Sequence, residues 1–223
     1  MAYFTQDFID FFSELEQNNN KAWFDENRKH YEKTIKEPVK AFVKDLITEV
    51  QKDDSDIILE PKDCIFRINR DIRFSKDKTP YKTHSSAAIA KGGRKDHTNP
   101  GLYIQFNHQD IRIYSGIFGL DKNQLESVRD YIMDYSDELD KLLNDKKFVN
   151  TFGNLLGDKN KRINKFYHEA AESQPLLFNK SFYYYKSFNP QLLLKDNLIE
   201  VIMESYRTSY GVKSFFENAL DTN

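Results

Sequence analysis

Between Phe66 and His84 the sequence sets Arg67, Arg70, Arg73, Lys76, Lys78 and Lys82 against only Asp71 and Asp77. That is a formal charge of about +4 in a chain whose whole is −2, so the rest sums to about −6. A guanidinium fork matches phosphate or carboxylate in two hydrogen bonds, and an ammonium adds a mobile point charge. Read as a strand from 64 to 74, the stretch alternates. Ile65, Arg67, Asn69, Asp71 and Arg73 face one way; Cys64, Phe66, Ile68, Arg70, Ile72 and Phe74 face the other. "SKDKTPYKTH" then reads as a turn, fixed by Pro80 and favoured by Ser75 and Asp77. It brings Lys76, Lys78, Tyr81 and Lys82 to the mouth of the arginine face. The chemistry is that of a site for a small anionic ligand, with Arg67, Asn69, Arg70, Arg73, Lys76, Lys78, Tyr81 and Lys82 as its binding residues.

His84 is the candidate acid or base, because an imidazole titrates near neutrality, and Asp71 is the candidate carboxylate beside it. Asp71, Asp77 and His84 could in principle share a magnesium ion with a phosphate. Neither a cofactor nor a resident metal is expected, since His30, His97, His108 and His168 show no pair at zinc-ligand spacing. The glycines of a Walker loop or a dinucleotide fingerprint are absent from the basic stretch. Two other readings compete. The arginines could pair with Asp71, Asp77 and acidic helices in an internal ion network. Alternatively, the basic turn could join Lys91, Arg94, Lys95 and the tyrosines of "SFYYYKSF" in a nucleic-acid surface.

The elements that must hold this stretch follow from periodicity. Phe8, Phe11, Phe12 and Leu15 recur at helical spacing, predicting a helix over 6–17 that "QNNN" ends. A second helical region starts near Lys21, and Pro38 should bend or restart it before the stripe Val39, Phe42, Val43, Leu46, Ile47 and Val50. Further strands are predicted at 84–90, 102–107, 111–118 and 181–188, with "NHQD" as a hairpin connection. The small run "SSAAIA" suggests close approach of a backbone or a ligand. The glycine-rich loop "IAKGGRKDHTNPG" could close over the basic stretch as a lid or be an ordinary hairpin tip. Helix returns from Asp121, and a last helical region carries Leu198, Ile199, Ile202, Met203 and Tyr206, with a break expected at Gly211. Helices, then strands, then helices predict α+β: one domain over 1–223, its mainly antiparallel curved sheet flanked by N- and C-terminal helices.

With 18 Phe and 13 Tyr the chain can bury a large core although 30% of its residues are charged. Its near balance of charge argues against a surface that grips nucleic acid everywhere, so that partner is not favoured. Cys64 stands alone, which excludes an intramolecular disulfide and suits a reducing compartment. The opening "MAYFTQDFIDFF" lacks the features of a signal peptide, and no window is apolar enough for a bilayer helix. A cytoplasmic protein with no membrane partner is expected.

"FRINRDIRFSKDKTPYKTH" resembles the signature of a microbial family known only as domain of unknown function twenty-four sixty-one. "FIDFFSELEQNNNKAWFDENRKHYE" is similar to that family's opening, and "GLYIQF", "YSGIFGL", "LESVRDYI" and "YKSF" are similar to its later blocks. The charged "RKDH" of the loop 91–100 departs from the pattern. The resemblance implies a single-domain α+β cytoplasmic protein and brings no activity, cofactor or catalytic set with it.

Overall fold

Phe8, Phe11, Phe12 and Leu15 line the buried face of α1 (Gln6–Gln17) in the computed structural model, which describes residues 1–96 and 98–221. The Asn-rich turn then divides its labour. Asn18 ends α1, and the Asn20 side chain caps α2 (Lys21–Glu26) by accepting from the Trp23 amide at 3.0 Å. A short α3 (Arg28–Tyr31) follows, then a π turn over Glu32–Lys36, then α4 (Glu37–Gln51) with Pro38 in its first turn. Proline cannot donate to the preceding turn and crowds its carbonyl. The chain therefore widens into a π turn just before Pro38 rather than breaking.

The chain folds as two compact units. The first comprises Met1–Arg94, Tyr103–Ile113 and Ser187–Met203. Its core joins Phe4, Phe8 and Phe42 of the N-terminal helical region to Phe106, with ring centroids 4.5 Å apart for Phe4–Phe8 and 5.4 Å for Phe42–Phe106. It also holds α5 (Pro61–Cys64), where Cys64 is fully buried. The second unit comprises Lys95–Leu102, Tyr114–Lys186 and Glu204–Asn223. Within it, α6 (Lys122–Asp134), α7 (Ser136–Leu143), α8 (Lys146–Phe152) and a short α9 (Ala170–Ser173) surround a core that includes Val128, Ile132, Phe148, Phe182, Tyr184, Phe215 and Phe216. The buried Arg129 of α6 donates from Nε to the Leu177 carbonyl at 2.8 Å and from Nη2 to the Asn179 carbonyl at 3.2 Å.

Four strands form one open antiparallel sheet flanked by helices, in the order β1 (Ser85–Ile89), β2 (Leu102–Phe106), β3 (Ile111–Ile117) and β4 (Phe182–Phe188). The architecture is α+β. Leu102, Ile104 and Phe106 are buried while Tyr103 and Gln105 between them are half-buried, the alternation of a sheet with one covered face. The β2–β3 turn closes on Asn107, whose side-chain oxygen accepts from the Gln109 and Asp110 amides at 2.6 and 2.8 Å.

Two expectations are corrected. The chain breaks between α10 (Leu198–Thr208) and α11 (Tyr210–Asp221) at Ser209, whose hydroxyl donates to the Tyr206 carbonyl at 2.7 Å. Gly211 lies inside α11 instead, where a Cβ would come within 2.6 Å of Leu142 Cδ2, so its role is close packing. The predicted strand over 64–74 is absent: α5 ends at Cys64, only two isolated bridges follow, and Phe74 is exposed.

Candidate functional site

The basic stretch fails as a strand for a countable reason. Ile65 pairs with Ala87 and Asn69 with Tyr81, both antiparallel, so four steps on one side face six on the other. The Phe66 amide donates to the Ser86 carbonyl at 2.9 Å, and the Lys82 amide donates to the Ile68 carbonyl at 2.8 Å. Between these two bonds the single residue Arg67 stands against Thr83, His84 and Ser85. A surplus of two residues cannot join a regular ladder. It forms a wide bulge, the kind of break that re-aims side chains beside functional sites.

At the tip of the hairpin both carboxylates are taken by arginines. Arg70 Nη1 donates to Asp77 Oδ2 at 2.5 Å and to the Thr79 carbonyl at 3.1 Å, and also touches the Thr79 hydroxyl. Arg73 holds Asp71 in a two-point grip, Nε to Oδ1 at 2.9 Å and Nη2 to Oδ2 at 2.6 Å. Hydrogen bonds from Arg73 hold the Asp71 carboxyl down at about 2. Asp77 falls to the same value through the Thr79 amide first and Arg70 second. Lys78 Nζ donates to the Ile72 carbonyl at 2.9 Å. Lys76 and Asn69 are exposed at the hairpin surface. Alternation had put Arg67 and Arg73 together with Arg70 opposite; in the folded chain Arg70 and Arg73 each have a carboxylate at the tip, away from the bulge in sequence.

Tyr81 is fixed from afar. Asn19 Nδ2 donates to the Tyr81 carbonyl at 2.9 Å, and Asn19 Oδ1 accepts from the Tyr81 amide at 3.1 Å. The Tyr81 ring is 5% exposed and stacks on Phe24 with centroids 4.0 Å apart. Its role is anchorage of the hairpin to the opening helices, since the stack occupies a ring face that a ligand would use.

What remains at the bulge is a cationic group of a different kind. Among the described residues, no side-chain hydrogen bond or ion pair engages Arg67, Lys82 or His84. The Lys82 ammonium lies 5.1 Å from the centroid of the half-buried Phe66 ring, which in turn meets Tyr103 edge-on at 5.9 Å. Burial and then the Arg67 charge push Lys82 below the usual lysine range. Burial and then the Lys82 charge push His84 down to about 4, so its imidazole is neutral at neutral pH. Two residues after His84, Ser86 is 2% exposed with no partner for its Oγ. A buried hydroxyl without a partner is uncommon. Arg67 in turn acts on Asp71 only as the weakest of the influences lowering that carboxyl.

Nothing in the residue pattern singles out Phe66 as the seat of Lys82, or Asn19 as the anchor of Tyr81. Ser86 had a signal in the small-residue run "SSAAIA". Arg94 of the glycine-rich loop touches the Lys62 carbonyl at α5, and Gly93, with φ +61, lies so close that a Cβ would be 2.6 Å from the Asp63 carbonyl oxygen. His97 of that loop lies outside the described residues. His30 and His108 sit 3.5 and 3.3 Å from Asp7 and Glu16. Among the described residues no group of three His, Cys, Asp or Glu could hold a metal ion, and no helix is long and apolar enough to cross a membrane. Burial pushes the Cys64 thiol up to about 12, which leaves it inert as a nucleophile.

A family model described as a conserved hypothetical protein, DUF2461, matches residues 7–215. No curated protein and no solved structure matches the chain.

Proposed function

We propose that this chain, which belongs to the conserved hypothetical protein family DUF2461, binds a small phosphate- or carboxylate-bearing ligand at the bulge between Arg67 and His84. One observation carries the reading. Arg67 and Lys82 flank a bulge with no carboxylate engaged to either among the described residues, while Arg70 and Arg73 nearby are each paired. Bringing two cations together against their mutual repulsion, one of them half-buried on an aromatic ring, is unfavourable in the free protein. An anion reverses that sign. The Arg67 fork would hold two anion oxygens and the Lys82 ammonium a third. The neutral His84 imidazole can take or return a proton at the ligand, which makes it the candidate acid–base group. Asp71 is committed to Arg73 and serves the hairpin tip. The cytoplasm is the compartment proposed, in keeping with the lone buried thiol of Cys64.

Thermal melting in phosphate tests this. A site with a dissociation constant of about 1 mM, in roughly 10 mM phosphate, gains about 1.4 kcal/mol, or roughly 3–5 °C in a protein of this size. Arg67→Ala and Lys82→Ala should abolish the shift, and Arg73→Ala should leave it. No shift in the parent, or a shift lost in Arg73→Ala and kept in Arg67→Ala, overturns the reading.

A further inference from the structure

We propose that Lys82 forms an imine with the carbonyl carbon of a small 2-oxo acid whose carboxylate is held by Arg67. This rests on the anion-site reading above and names its substrate class. Lys82 differs from the other lysines in the features that matter. Lys78 spends its ammonium on the Ile72 carbonyl, and the buried Lys213 is paired with Glu217 at 2.6 Å. Lys82 is half-buried, held over Phe66 at 5.1 Å, and free of any carboxylate among the described residues. A lysine desolvated beside a second cation is the environment that keeps an amine unprotonated and nucleophilic. The direction of its shift, downward through burial and Arg67, agrees. The Phe66 ring fixes where Nζ stands, and Arg67, across the bulge, fixes the acid group.

The step balances without an oxidant or reductant. The Nζ lone pair attacks the carbonyl carbon, a C–N bond forms, and the carbonyl π electrons move to oxygen. One amine proton passes to that oxygen. The second leaves nitrogen by way of the neutral His84 imidazole and reaches the hydroxyl as the C–O bond breaks, so water departs and the C=N bond remains.

The test uses pyruvate with cyanoborohydride at neutral pH, followed by peptide mapping, in parallel with the phosphate melting curve of the parent protein. Lys82 should carry the reduced pyruvate adduct at least severalfold faster than Lys76 or Lys78, because its amine is desolvated on Phe66 beside Arg67. Inorganic phosphate should protect it, Arg67→Ala should slow its labelling by pyruvate more than by acetaldehyde, and Lys82→Arg should remove it. A phosphate shift with labelling at Lys82 no faster than at Lys76 and Lys78 overturns the imine and leaves the anion site standing. Absence of both overturns the two together.

Discussion

Replacing His84 with glutamine should make the protein less sensitive to mild acid. The imidazole is pushed from 6.5 down to about 4, first by burial and second by the Lys82 charge. Its folded pKa lies below its unfolded one, so between these values the unfolded chain binds the proton that the folded chain refuses. Stability therefore rises with pH across that window and is lost as pH falls through it. Two and a half units correspond to about 3 kcal/mol at the acid limit, an upper bound because the ring is not wholly buried. Near pH 5 the same two values give roughly 2 kcal/mol. Glutamine keeps a polar, hydrogen-bonding side chain of similar reach and does not titrate. Urea unfolding of both proteins near pH 7.5 and near pH 5 isolates the effect, because every other titrating group is common to the pair. The parent should lose about 2 kcal/mol more than His84→Gln on going to the acid condition. Phosphate should shrink that difference, since an anion beside Lys82 and His84 favours the imidazolium. Equal losses in the two proteins, or an imidazole titrating near 6.5 by NMR, would refute the burial and charge assigned to His84.

Three further outcomes check the scaffold. Asn19→Ala removes both hydrogen bonds to the Tyr81 backbone and should destabilise by about 1–2 kcal/mol while speeding hydrogen exchange at the Tyr81 amide; unchanged exchange there would count against the anchor. Gly157→Ala places a Cβ 1.9 Å from the Ser181 carbonyl oxygen and should destabilise by several kcal/mol, whereas Gly119→Ala, in open space at φ +61, should lose only about 1 kcal/mol; equal effects in urea unfolding would contradict the packing. Arg129→Ala strands the Leu177 and Asn179 carbonyls and should destabilise by about 2–4 kcal/mol, a loss that Arg129→Lys restores only in part because one ammonium cannot reproduce the fork; a neutral alanine variant refutes this.

Helices and regular strands were legible because their signal is carried within one segment. The stripe Phe8, Phe11, Phe12 and Leu15 and the alternation Leu102, Ile104 and Phe106 each name a face without knowing the partner. Residues 64–74 carry the same period of two, yet a ladder also depends on how many residues the opposing side supplies between pairing points. Asn69 and Tyr81 pair in one register and Ile65 and Ala87 in another, and nothing in "CIFRINRDIRF" encodes that count. The same limit applied to charge. That Arg67, Lys82 and His84 belong to a cationic stretch was evident. Which arginines would find a carboxylate was not, because Arg73–Asp71 and Arg70–Asp77 depend on the conformation of the turn. Asn19 lay furthest from view: its partner is 62 residues away, and in sequence it reads as one more turn asparagine.

The surplus at the bulge is two residues rather than one, and its parity has a consequence. Side chains alternate with a period of two, so an odd excess would turn one end of the hairpin over and send its core residues to solvent. An even excess keeps both ends in phase: Ile65 with Ala87 and Asn69 with Tyr81 close their bridges with the fold undisturbed on either side. Thr83 and His84, which precede β1, are thus released from the pairing rules of the sheet and can change identity without altering its register. Excising both should let 65–69 and 81–87 zip into a continuous fifth strand, a more regular protein that has lost its cationic gap. The same chain length that spoils the ladder is what sets Arg67 apart from a regular partner on the facing segment.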